Sequence, residues 1–182
     1  MNSVPLERYD RTMIGLHWLI AILIIWGFCL GWIMTDIPGF TPAKLRYFSW
    51  HKWIGVTIFT LTLFRIAWRI SHRPPQTAVR ELGWQRTAAG LVHLSLYGLM
   101  LVIPISGYLY SSAAGIQVVY LGLVPLPTII EPNQALKATL RTVHLILNYS
   151  LLSLVCLHFL AALKHQFIDR DGILKRMVPF IK

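Results

Sequence analysis

The sequence predicts an all-α fold: a four-helix bundle embedded in a membrane, with both termini on the cytoplasmic side. Three observations carry this. Of the 182 residues, 55% are hydrophobic and only 13% charged, whereas soluble domains run to roughly 45–50% and 25%. Four stretches, 14–34, 50–68, 88–110 and 143–163, come close to or exceed the about 20 apolar residues that a helix needs to cross a hydrocarbon core of about 30 Å. The 17 Lys and Arg residues also divide unevenly, with 12 on the side that holds both termini and 5 on the other. Lys and Arg accumulate in cytoplasmic flanks. The net charge of +10 is therefore a topology signal plus contact with anionic headgroups, and it excludes a nucleic-acid reading.

The first helix follows a short polar leader, with Trp18 and Trp32 near its two ends, where interfacial tryptophans sit. The stretch is too long for the apolar part of a cleaved signal, and no small-residue cleavage site follows it, so it is expected to remain as an anchor. Thr41-Pro42 reads as an N-cap with proline at the first helical position. The second helix is thus expected to begin near Pro42 and project beyond the bilayer before entering it near Trp50. Arg65 and Arg69 mark its inner end and read as snorkelling side chains. A polar loop with Pro74-Pro75 leads to the third helix, which Pro104 should kink. Segment 111–138 is apolar but broken by Pro125 and Pro127, so it reads as a lid on the outer helix ends and not as a fifth span. The fourth helix is expected to start near 132–134 and run to about Phe167. One domain covers residues 1–182. Cys29 and Cys156 lie in apolar segments, and no C-x-x-C-H attachment motif for covalent haem is present.

The seven histidines are His17, His51, His72, His93, His144, His158 and His165. Ionisable side chains within spans are costly, and they usually face the bundle interior and serve a function. His144 and His158 stand 14 residues apart, about 21 Å along a helix and just under four turns. They therefore share one face at two depths. His51, opening the second helix, matches His144 near the outer surface. At the inner level both His17 and His93 match His158, and spacing alone does not choose between them. Neutral imidazole is a good axial ligand for haem iron. Two imidazoles from facing helices, repeated at two depths, would make a bis-histidine relay across the membrane. Gly55, Gly90 and Gly98 offer room for a flat macrocycle, and Arg11 and Arg86 offer partners for its carboxylates. His72 reads as a plain loop residue.

"GLHW", "WHKWIGV", "HLSLYGLMLVIPISGY" and "HLILNYSLLSLVCLHFLAALKHQF" resemble the bacterial cytochrome b561 membrane proteins, which are similar to the cytochrome b subunits of formate dehydrogenase and nickel-iron hydrogenase. The resemblance covers nearly the whole chain. It implies two haem b groups, the inner held by His17 and His158 and the outer by His51 and His144, with the four imidazoles binding the haem irons. It also implies a quinone site near His93 and His165. Members of the family that act as superoxide oxidases pass electrons from superoxide to ubiquinone. The outer basic residues Lys44, Arg46, Lys52, Lys137 and Arg141 suit an anionic donor, since positive charge at an entrance raises the encounter rate of anions; headgroup binding would use them equally well.

The leading expectation is a di-haem cytochrome of the bacterial inner membrane. It would exchange electrons between an outer donor or acceptor, superoxide or a periplasmic redox protein, and a ubiquinone or menaquinone pool. One alternative is a haem-bearing anchor subunit that relays electrons from a partner dehydrogenase or hydrogenase. Another is a haem-free, histidine-lined metal or proton transporter. Against the last, every Asp and Glu lies outside the four apolar stretches, which removes the usual acidic relay.

Overall fold

A computed structural model describes residues 8–72 and 83–178. Its four long helices are α1 (Arg11–Asp36), α2 (Pro42–Ser71), α3 (Gly83–Ala113) and α4 (Gln134–Lys164). All four are long and apolar enough to cross a membrane. Each expected span lies inside one of them. Pro74 and Pro75, and the counted basic residues Arg73, Arg80 and Lys182, lie outside the described residues.

The helix starts follow local chemistry. A side-chain oxygen accepts from an early backbone N–H in three of the helices: Asp10 from Met13 at 2.9 Å, Thr41 from Lys44 at 3.2 Å, and Asn133 from Leu136 at 2.9 Å. Each bond satisfies a donor that has no partner inside the helix. Pro42 occupies the first turn of α2, so that helix does begin well before the apolar run. Pro104 sits inside α3 without ending it, and its missing N–H leaves the Met100 carbonyl without a helical partner. Beyond α4 the chain widens into a π-helical turn, His165–Asp169, and later tightens into a 3₁₀ turn, Leu174–Arg176.

The helices pack in sequence, α1 on α2, α2 on α3 and α3 on α4. The core sits at mid-height, built from Ile20, Ile58, Met100, Ile103 and Leu151. Outward faces carry Ile25, Trp26, Leu94 and Phe159, side chains suited to lipid. The two ends of the described chain meet at one end of the bundle. There Tyr9 N–H donates to the Arg176 carbonyl at 3.4 Å and the Trp18 indole to the Met177 carbonyl at 2.9 Å.

The expected lid is present as a small hairpin, β1 (Val119–Tyr120) paired antiparallel with β2 (Val124–Pro125). Leu121 and Gly122 turn it with φ of 52° and 73°; the glycine takes this conformation freely, and the leucine under strain. The hairpin is tied to α2, where the Trp53 indole donates to the Val119 carbonyl at 2.7 Å and Thr57 meets the Tyr120 hydroxyl at 3.0 Å. Tyr108 of α3 donates to the Pro127 carbonyl, and Asn133 N–H to the Ala113 carbonyl at 2.9 Å. Trp53→Phe should remove one such tie, worth about 0.5–1.5 kcal/mol. We expect faster amide exchange confined to residues 118–126, measured by hydrogen–deuterium exchange mass spectrometry.

Candidate functional site

Helix α4 presents His144 and His158 at two heights, and a histidine from another helix meets each. His51 of α2 faces His144, with ring centres 6.4 Å apart and planes at 85°. His17 of α1 faces His158, with ring centres 6.2 Å apart and planes at 73°. Metal–imidazole bonds to a first-row ion run about 2.0–2.1 Å, and roughly 1.1 Å separates nitrogen from ring centre, so two rings on opposite sides of one metal sit about 6.3 Å apart. Both pairs have that spacing. His93 of α3 lies closer to His158, at 5.4 Å, short of the spacing for two rings on opposite sides of one metal.

The outer pair is oriented by its surroundings. His51 Nδ1 lies 3.0 Å from the Gly27 carbonyl. A carbonyl only accepts, so the proton is on Nδ1 and the Nε2 lone pair is free. His144 Nδ1 lies 2.8 Å from the Ser106 hydroxyl, which itself donates to the Ile103 carbonyl at 2.8 Å. With its proton committed there, Ser106 accepts from His144 and leaves that Nε2 free as well. Space is arranged by glycines. A Cβ on Gly107 would stand 2.9 Å from His144 Cε1, and one on Gly31 3.6 Å from His51 Cε1. A largely apolar cavity opens between the two rings, lined by Gly27, Gly55, Met100, Gly107, the lid residue Val118, and Lys52.

The inner pair has different neighbours. Arg65 is not a snorkelling side chain, as the sequence suggests, but is only 8% exposed. Its position, level with His17, draws it inward, where Nη1 lies 3.1 Å from His17 Nδ1. Arg69 does reach the surface, as do Arg11 and Arg86. Three buried polar atoms have no hydrogen-bond partner among the described residues: Thr62 Oγ1, Arg65 Nε and the Tyr97 hydroxyl. Sequence reading missed Thr62, Tyr97, Ser106 and Gly107. Only Arg65 carried a signal, as a charge on the same helical level as a buried histidine.

The remaining candidates are spread apart. His93 is exposed on the bundle flank beside His158. His165 sits in the π-helical turn, with Nδ1 2.5 Å from an Asp171 oxygen and 3.4 Å from Asp169. Asp169 is also held by Lys164 at 2.5 Å. No bond joins His93 to His165 among the described residues. His72 stacks on Trp68 with ring centres 4.0 Å apart. On the opposite end, Lys44 donates to the Ile37 carbonyl at 2.8 Å and Lys137 to Gln134 at 3.4 Å, while Arg46 and Arg141 are exposed.

Two facing imidazole pairs, a glycine-lined apolar cavity and unpartnered buried donors fit a flat, carboxylate-bearing metal macrocycle better than a small hydrated ion. Comparison with known proteins agrees. Residues 8–180 match the family model for prokaryotic cytochrome b561. The chain is 34% identical over 172 residues to Cytochrome b561 homolog 2 of Escherichia coli (strain K12), covering 94% of this chain and 92% of that one. It is 29% identical to Probable superoxide oxidase CybB of Yersinia pestis, over 95% and 97% of the two chains. It is 27% identical to Cytochrome b562 of Cereibacter sphaeroides, over 93% and 94%. This four-helix membrane chain, consistent with haem b electron transfer, belongs to the prokaryotic cytochrome b561 family.

Proposed function

We propose that the protein is a di-haem b-type cytochrome that moves single electrons between a donor at the outer membrane face and the quinone pool. The observation that carries the reading is the repeated ring spacing, 6.4 Å and 6.2 Å, at two heights of one bundle. His51 and His144 would hold the outer haem, and His17 and His158 the inner. Bound haem supplies the one-electron chemistry, and the protein supplies position and electrostatics. Ser106 and the Gly27 carbonyl keep the outer imidazoles in the tautomer that presents Nε2. The apolar lining keeps water from the iron ligands. Excess basic residues beside the termini favour a cytoplasmic position for both ends and a bacterial inner-membrane location.

At the outer face Lys52 lines the cavity beside His51, and Lys44, Arg46, Lys137 and Arg141 lie on the same end of the chain. This positive field suits an anionic one-electron donor, for which superoxide is the simplest candidate and the named activity of one relative. At the inner face, quinone reduction takes up protons as well as electrons. His93 stands exposed beside His158, where a lipid-borne ring could approach. His165, bonded to Asp171, is suited to hold and pass on a proton at Nδ1.

Three outcomes test this. Purified wild-type protein should carry two low-spin haems per chain. His51→Ala or His144→Ala should lose one, His17→Ala or His158→Ala the other, and His93→Ala neither, measured by pyridine haemochrome and redox titration. Fewer than two haems in the fully supplied wild type would sink the reading. His165→Ala should keep both haems and slow quinone turnover tenfold or more; unchanged quinone kinetics would remove His165 from the site. Lys52→Gln should lower superoxide-driven quinone reduction several-fold at low ionic strength, with the difference fading as salt is added. A lone wild-type protein inert with superoxide would instead favour a relay subunit that depends on a partner enzyme.

A further inference from the structure

Arg65 is a buried cation for which the described residues supply no anion. It is 8% exposed, and no ion pair among the described residues includes it. No Asp or Glu stands inside the four apolar stretches, and no described carboxylate pairs with Arg65. Charged side chains are almost never buried unless paired. Three polar groups gather at this point. Arg65 lies one turn from Thr62 on α2, and its guanidinium carbon is 5.7 Å from the centre of the Tyr97 ring on α3. Arg65 Nε, Thr62 Oγ1 and the Tyr97 hydroxyl are all buried without a hydrogen-bond partner among the described residues.

The contact between Arg65 and His17 sharpens the point. A guanidinium carries donors only, so at 3.1 Å His17 Nδ1 must be the acceptor. An imidazole that gives Nε2 to a metal keeps its proton on Nδ1 and donates from it. Arg65 N–H and His17 Nδ1–H cannot face one another. If His17 is an iron ligand, Arg65 has to release it and find another acceptor. Thr62 and Tyr97 offer two hydroxyls beside it, each able to donate to the same incoming oxygen pair.

We propose that Arg65, Thr62 and Tyr97 form the receiving site for a propionate carboxylate of the inner haem, and that Arg65 exchanges its bond to His17 for that carboxylate as the haem is seated. The proposal rests on the di-haem reading above and names a function for residues which that reading does not use. It makes Arg65 a positioning residue and couples loading of the inner site to a side-chain exchange.

The test is haem loss from full-length protein, wild type and Arg65→Gln, each loaded with haem or with haem dimethyl ester. Apomyoglobin serves as acceptor, and the outer haem is the internal control. With native haem, Arg65→Gln should release the inner haem at least tenfold faster and the outer haem at the wild-type rate. With the dimethyl ester, whose carboxylates are masked, wild type and variant should release the inner haem at equal rates. Equal rates with native haem, or the same acceleration with both haems, would overturn the proposal. Should Arg65→Gln fail to retain the inner haem during preparation, Tyr97→Phe and Thr62→Val are read by the same comparison and decide it. Wild-type protein without two haems would defeat the functional reading first, and is seen before any exchange is measured.

Discussion

Facing imidazoles held about 6.3 Å apart across the bundle are the constraint on which the rest of the structure depends. Helices that pack through ordinary side chains approach to about 8–10 Å and close over their contact. Here α1 packs on α2, α2 on α3 and α3 on α4, while the histidine pairs join α1 to α4 and α2 to α4. The chain thus spends two of its helix-to-helix contacts on ring pairs in place of apolar packing. The apolar core of Ile20, Ile58, Met100, Ile103 and Leu151 is left between the two levels. It acts as a spacer that sets their separation.

The two levels are built differently. At the outer one both imidazoles are pinned through Nδ1, by a carbonyl and by a serine whose own proton is spoken for. Gly107 gives His144 room that any side chain would take, and Gly31 lies in close contact with His51. The lid, tied to α2 by Trp53 and Thr57, places Val118 over the cavity. The inner level has no such pinning. A buried guanidinium contacts His17 instead, and its charge has no partner among the described residues. A ring fixed in advance binds a metal with little rearrangement, whereas a ring engaged by a donor must first be freed. On the proposed di-haem reading, the His51–His144 site is therefore prepared for its ligand, and the His17–His158 site answers to it.

The ends of the bundle follow from the same physics. The outer end is basic and lidded, with Lys52 reaching the cavity. The inner end gathers acid, base and imidazole in one turn, where Lys164, Asp169, His165 and Asp171 form a connected set. Charges at a water boundary cost little to hold, so this set can stand at the bundle end without disturbing the apolar centre. His93 stands between these regimes, exposed on the flank yet 5.4 Å from His158.

Much of the architecture was legible in the chain. Four long apolar runs, the Thr41-Pro42 helix start and the proline-broken segment before α4 each act locally, through the hydrophobic effect, capping or the fixed φ of proline. The 14-residue interval in α4 likewise sets two histidines on one face, because helical periodicity needs no tertiary information. Which histidine opposes His158 was not legible, since His17 and His93 lie at one depth and only the packing of α1, α3 and α4 fixes their separations. Nor was Arg65, whose place near a helix end looks the same in sequence whether it bends outward to headgroups or inward to His17. Ser106, Gly107, Thr62 and Tyr97 are ordinary residues of apolar helices until neighbours arrive. Sequence alone determined the elements and the heights of the imidazoles, because those are properties of single helices. Tertiary structure alone decided partners, tautomers and the unpaired charge, because each depends on atoms brought together from different helices.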